Sequence, residues 1–154
     1  MPMPAISDLV KMKGNAANGR SVFAKQGDCA KCHQVNGEGK NVGPDLSEIG
    51  KKLSREAVFE SILYPSASIS HNFEMYIVET KAGTTANGVL VSKTPAEVSI
   101  KGADAIVRTF KTAEVESVVR SPISLMPADL HQAMTTQELV DLVEYLLTLR
   151  EAKK

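Results

Sequence analysis

Two cysteines three positions apart, followed directly by a histidine, restrict this sequence more than any other feature. They are Cys29 and Cys32, the two cysteines of the 154-residue chain, and His33 follows them. Two cysteines are too few for a disulfide framework, and a closed zinc site needs four ligands, whereas His71 and His131 are far away in the chain. A thioredoxin-like dithiol follows a strand, but the residues before Cys29 have the pattern of a helix.

The pattern that remains is C-x-x-C-H, the signal for covalent haem attachment, at residues 29–33 (CAKCH). Two thiols at this spacing reach the two vinyl groups of one porphyrin edge, and the adjacent histidine then lies beneath the iron. We therefore expect one haem c, bound covalently through Cys29 and Cys32, with His33 as an axial iron ligand.

Composition and charge exclude several other classes of protein. A hydrophobic fraction of 43% is ordinary for a globular chain, and the length predicts one domain. Lysine plus arginine and aspartate plus glutamate number 18 each, so a basic surface for nucleic acid is not expected. No long apolar window predicts a transmembrane segment, and the first residues do not have the pattern of an export signal.

The prolines and lysines of residues 1–14 predict a linker or flexible arm, which leaves residues 15–154 as the domain. Helical periodicity follows the capping residues Asn15 and Ser54, and predicts helices to about Lys25 and Leu63. A last helix is predicted to start after residues 135–138 (TTQE) and to run to about Arg150. Between the last two helices, a β-rich pattern over about residues 72–119 predicts an inserted sheet. Its five candidate strands are residues 73–80, 84–91, 96–101, 105–110 and 115–119.

Four motifs resemble those of class I c-type cytochromes. They are GRSVF at residues 19–23 ahead of the cysteine motif, GPDL at 43–46, LMP at 125–127 and LVDLVEYL at 139–146. The resemblance implies a mainly α cytochrome c fold, here with a small antiparallel sheet insertion. It also implies that N-terminal and C-terminal helices cross, with Gly19 and Phe23 against Leu142 and Tyr145.

The resemblance also implies roles for three residues outside the cysteine motif. The Pro44 carbonyl would accept a hydrogen bond from the iron-ligating imidazole, although a turn proline would have the same geometry. Leu46 would pack on the haem ring. Met126 would ligate the iron opposite His33, with His71 as its main rival. The remaining methionines, in the N-terminal arm, a strand and the approach to the last helix, are weaker candidates; they are Met1, Met3, Met12, Met75 and Met134.

The β insertion gives this chain a second, narrower resemblance. His33 and Met126 are 93 positions apart, and an insertion of about fifty residues accounts for this long spacing. The insertion and the PISLMP sequence at 122–127 resemble a haem-binding domain appended to large dehydrogenase-like proteins of planctomycetes, verrucomicrobia and related bacteria.

The resemblance implies an electron-transfer protein that is not itself an enzyme. Its partner would be a redox protein, and a dehydrogenase domain is one candidate. Haem attachment implies a periplasmic or otherwise exported location. Two alternatives stay open: a haem-based sensor or peroxidase-like site with a displaceable sixth ligand, and a structural module whose sheet docks a partner.

Overall fold

A helical part and a β-sheet make up the described part of the chain, residues 3–151 of a computed structural model. Residues 1–2 and 152–154 lie outside the described part. Met1 and the start of the expected arm fall on the first of these segments, and the end of the expected domain falls on the second. The α-helices are α1 (Ile6–Leu9), α2 (Ala16–Ala24), α3 (Ile49–Lys52), α4 (Arg55–Leu63) and α5 (Thr136–Thr148). Within the described residues, none of them is long and apolar enough to cross a membrane.

Helices α2 and α4 begin where the sequence predicted, whereas α5 begins at Thr136, inside the segment after which its start was predicted. The side chain of Asn15 accepts a hydrogen bond from the N–H of Asn18, and Ser54 does the same for Ala57. Thr135 and Glu138 form a reciprocal capping box at the start of α5. Each cap satisfies a backbone N–H that has no partner inside its helix, which is why the signal can be recognised locally.

Helices α2 and α5 cross at Gly19, which confirms the predicted crossing. A Cβ atom at Gly19 would lie only 1.9 Å from the carbonyl oxygen of Asp141, so no larger residue fits without moving the α5 backbone. Next to this contact, the rings of Phe23 and Tyr145 pack edge to face with centroids 5.8 Å apart. The residues buried around the crossing form the helical core, which includes Leu9, Val22, Phe59, Leu139, Val140, Leu142, Val143 and Leu146.

Residues 3–14 pack against this core, although the sequence predicted a linker or flexible arm for them. Leu9 at the end of α1 is completely buried. The guanidinium of Arg55 in α4 donates to the carbonyl oxygens of Val10 and Met12 at 3.1 and 2.7 Å. These contacts were not predictable from local patterns because they depend on α4, which is distant in the chain.

The sheet contains five strands, all antiparallel, in the spatial order β4-β3-β2-β1-β5. Their bounds are β1 (Met75–Thr80), β2 (Thr85–Lys93), β3 (Glu97–Lys101), β4 (Val107–Lys111) and β5 (Val115–Arg120). Val78, Val98 and Ile100 are buried on one face, and partly buried residues such as Phe110 and Val118 pack around them. This sheet core shares no residue with the helical core.

The expectation of a mainly α fold was wrong. Residues 3–151 are 33% helix and 22% strand, and the strands form a five-stranded antiparallel sheet. The error has a physical reason. The recognised motifs all lie in helices and loops around the cysteines, whereas the sheet buries its own set of apolar residues and is therefore a second structural layer, not a minor addition.

Asp141 connects α5 to the start of α2, and its contacts predict how stability depends on pH. Its carboxylate accepts hydrogen bonds from the Asn15 backbone, the Asn18 side chain and the Gln137 side chain at 2.7–2.8 Å. Burial would raise the pKa of Asp141, but these bonds outweigh burial and hold the pKa below its ordinary value of 3.8.

A carboxylate with a lowered folded-state pKa stabilises the fold above its unfolded pKa, and this stabilisation is lost as pH falls through the folded value. We therefore expect Asp141→Asn to lower the free energy of unfolding at pH 7 by about 2 kcal/mol. The reason is that the NH2 group of the new amide would face N–H groups that now donate to the carboxylate. Urea denaturation should show that the difference in the free energy of unfolding between the wild type and the variant shrinks below about pH 4, near the reference carboxyl pKa. A deficit that is the same at pH 3 and pH 7 would contradict this assignment.

Candidate functional site

The cysteine motif begins in a tight helical turn that residues 25–28 separate from α2. Residues Cys29–Lys31 form a single 3-10 turn, and Asp28 before it has a left-handed backbone with φ of 52°. The backbone N–H groups of Cys32 and His33 both donate to the carbonyl of Cys29, at 3.1 and 2.9 Å. Both thiols are free and half-buried. The turn therefore presents two thiols and an imidazole from five consecutive positions.

The imidazole of His33 has one nitrogen committed to a backbone carbonyl. Its Nδ1 lies 2.7 Å from the carbonyl oxygen of Pro44. A carbonyl can only accept, so Nδ1 carries the proton and Nε2 keeps a lone pair for a metal. Burial lowers the pKa of His33, and the bond to Pro44 offsets this only in part. The bond to Pro44 therefore orients the imidazole of His33 and leaves its Nε2 available to a metal.

Two glycines let the surrounding loop approach His33 closely. A Cβ at Gly43 would lie 2.7 Å from Cε1 and 3.0 Å from Nδ1 of the imidazole. Gly39 has φ of 103°, and a Cβ there would lie 2.2 Å from the His33 carbonyl oxygen. The close approach of Gly39 and Gly43 to His33 was not predicted from the sequence. The glycine next to Pro44 was the available signal that the backbone lies against the imidazole.

The environment of the thiols favours an uncharged sulfur. Burial, followed by the nearby Asp28 carboxylate, raises the pKa of Cys29 to about 12. Burial also raises the pKa of Cys32. Reactive or zinc-binding cysteines need a stabilised thiolate, which these surroundings disfavour. A thioether carries no charge, so the same surroundings suit cysteines that are alkylated by a cofactor.

Met126 lies in the loop between β5 and α5. Its backbone N–H donates to Ser124 Oγ at 3.1 Å, and the N–H of Ser124 donates to Ser66 Oγ at 2.9 Å, so the loop is attached to the segment that follows α4. The Met126 side chain is half-buried and packs against the helical core. Leu46 and Cys29 pack against the same core.

Two of the rival ligands, His71 and Met75, are placed differently from Met126. The side chain of His71 is 89% exposed and lies 3.6 Å from Glu74. Met75 belongs to β1 in the sheet. Met3, Met12 and Met134 also pack against the helical core. Within residues 3–151, no group of three or more histidine, cysteine, aspartate or glutamate side chains could hold a metal ion.

These donors fit a haem group better than a bare metal ion. The oriented imidazole offers Nε2, the two thiols are disfavoured as thiolates, and the thioether of Met126 packs on the same apolar core as Leu46. A metal ion bound by the protein alone would need several protein ligands close together, and the described residues contain no such group of three or more histidine, cysteine, aspartate or glutamate side chains. A porphyrin brings its own four nitrogen ligands and apolar surface, and needs only axial donors and an apolar wall.

The helices, the thiol pair and the carbonyl-bonded imidazole define a protein of the c-type cytochrome class. The sequence matches the cytochrome c family over residues 16–150, so the chain belongs to that family. It is 30% identical over 60 residues to a "Cytochrome c-553-like" protein of Synechocystis sp. (strain ATCC 27184 / PCC 6803 / Kazusa). That match covers 39% of this chain and 54% of the relative, so the chain spans about half the length of the curated relative.

Membership of this family indicates a covalently bound haem c.

Proposed function

We propose that this chain carries one haem c, bonded through Cys29 and Cys32, and transfers single electrons with His33 and Met126 as the axial iron ligands. The observation that carries this proposal is the 2.7 Å contact between His33 Nδ1 and the Pro44 carbonyl. It leaves Nε2 free in the residue that completes the cysteine motif. Metal-ligating histidines commonly donate their other ring N–H in this way.

Pro44, Leu46 and Met126 have different roles at the proposed haem site. Bound haem supplies an iron that changes between the ferric and ferrous states. Pro44 fixes the orientation of His33 and raises its basicity. Leu46 offers an apolar contact to the ring, and burial in apolar surroundings favours the less charged ferrous state. The soft thioether of Met126 favours the ferrous state as well, which raises the reduction potential.

The partner we propose is another redox protein, and a dehydrogenase domain is the first candidate to test. The net charge of zero gives little long-range attraction to a charged partner. Attachment to the partner would replace that attraction by a high effective concentration. Because c-type cytochromes of this kind are typically exported, we also propose a periplasmic or otherwise exported location.

Optical spectra separate electron transfer from small-molecule sensing. The haem-loaded protein should be low-spin in both oxidation states, and carbon monoxide should not change the ferrous spectrum, because both axial positions are occupied by side chains. A ferrous spectrum that shifts on addition of carbon monoxide would contradict this proposal. It would favour a sensor or peroxidase-like site with a displaceable ligand.

A further inference from the structure

We propose that Ser47 and Asp45 act as a positioning pair, which holds the Pro44 carbonyl against His33 and so sets how strongly the imidazole donates to the iron. The inference rests on the proposed function. It concerns two polar side chains that the site described above does not use. Neither touches the imidazole itself, so their effect would be transmitted through Pro44.

The Ser47 hydroxyl is buried and makes two hydrogen bonds. It donates to Asp45 Oδ1 at 2.5 Å and accepts from the backbone N–H of Asn36 at 2.7 Å. Asp45 Oδ1 also accepts from the backbone N–H of Ser47 at 2.8 Å. These bonds lower the pKa of Asp45, so the carboxylate stays charged and a good acceptor. One hydroxyl therefore joins the loop after His33 to the loop after Pro44.

The Asn36 end of this connection is itself a rigid turn. Val35 and Glu38 exchange both of their backbone hydrogen bonds, at 2.9 and 3.0 Å. Asn36 and Gly37 between them both have positive φ, 51° and 85°, as a two-residue hairpin turn of type I′ requires. This turn fixes the direction of the Asn36 N–H. Ser47 is thus bonded to a preformed donor, only three residues after His33.

The position of Pro44 depends on its neighbours because proline has no N–H of its own. Before it, the N–H groups of Val42 and Gly43 donate to the carbonyl of Cys32 at 2.9 and 2.7 Å. After it, the N–H of Leu46 donates to the carbonyl of Gln34 at 2.9 Å. The hydrogen bonds of Ser47 and Asp45 complete the attachment of the residues that follow Pro44.

Loss of the Ser47 and Asp45 bonds would loosen the residues that follow Pro44, and should weaken the bond from His33 Nδ1 to the Pro44 carbonyl. A weaker acceptor makes the imidazole less basic and a poorer donor to ferric iron. The ferric state then loses more stabilisation than the ferrous state. The reduction potential should therefore rise, and the Nδ1 proton should exchange faster with solvent.

The first test compares Ser47→Ala with Ser54→Ala in the haem-loaded protein. Both changes delete a serine hydroxyl that accepts a backbone N–H, but Ser54 caps α4 and has no bond to the His33 or Pro44 loops. We expect Ser47→Ala to raise the potential and to speed exchange of the His33 Nδ1 proton, measured by NMR of the ferrous protein, about tenfold. Ser54→Ala should lower the stability of the protein but leave the reduction potential and the exchange rate unchanged.

The second test uses Asp45, whose side chain is exposed, so its variants remain informative where Ser47→Ala does not fold. Asp45→Ala removes the acceptor, whereas Asp45→Asn removes the charge but keeps an oxygen acceptor. Exchange should be faster in Asp45→Ala than in Asp45→Asn, and the potential higher. Equal effects in the two variants would show a charge effect only and overturn the inference.

The two proposals fail in different ways. A wild-type protein without covalent haem would overturn the proposed function, and this inference with it. Haem-loaded Ser47→Ala or Asp45→Ala protein with wild-type potential and exchange rate would overturn the inference alone.

Discussion

Replacing Met126 with alanine should remove the sulfur-to-iron charge-transfer band of the ferric protein and lower the reduction potential. The thioether stabilises the ferrous state, so its loss favours the ferric state. We expect a fall of about 0.2 V, a fraction of the ~0.8 V range over which axial ligands set haem potentials. A redox titration followed by the optical spectrum measures both effects.

Two variants serve as controls for this prediction. Met75→Ala removes a methionine from β1, and His71→Ala removes the exposed imidazole that is the main rival ligand. Both should keep the band and the potential. If His71→Ala changed the spectrum while Met126→Ala did not, the sixth ligand would have to be reassigned to His71.

Replacing Gly19 with alanine should destabilise the protein by about 3 kcal/mol or more, the range of severe overpacking. The new Cβ would lie 1.9 Å from the Asp141 carbonyl oxygen, and the obstacle is backbone, which cannot rotate away. Helix propensity alone predicts the opposite sign, because alanine favours a helix over glycine by about 1 kcal/mol. The sign of the change therefore tests the close crossing of α2 and α5.

Chemical denaturation of the haem-loaded protein measures this change. Ala17→Gly, at an exposed position of the same helix, is the matched control because it changes propensity without touching α5. It should cost about 1 kcal/mol. A Gly19→Ala protein as stable as the wild type, or more stable, would contradict the packing described here.

The sequence predicted features whose cause is local. The caps at Asn15 and Ser54 each act within three residues, so the starts of α2 and α4 were recognisable. The five strands also lie within a few residues of the predicted ones. The contribution of these strands to the fold was underestimated, because the sheet core forms only when β1 and β3 pair with opposite edges of β2.

Features that depend on distant contacts were missed. Burial of Leu9 requires the helical core, and Arg55 reaches the N-terminal segment across 43 and 45 positions. At the candidate site, the Pro44 carbonyl was expected from a family pattern. The Ser47 hydroxyl could not be assigned a partner in advance, because its bond depends on the left-handed turn at Asn36.

The central claim is that Cys29 and Cys32 bind one haem covalently, and the mass of the intact protein tests it most directly. The protein should be produced with a haem maturation system, denatured and measured by mass spectrometry. The account predicts the mass of the chain plus one haem, and loss of that addition when both cysteines are replaced by serine. A wild-type mass equal to that of the bare chain would contradict the account.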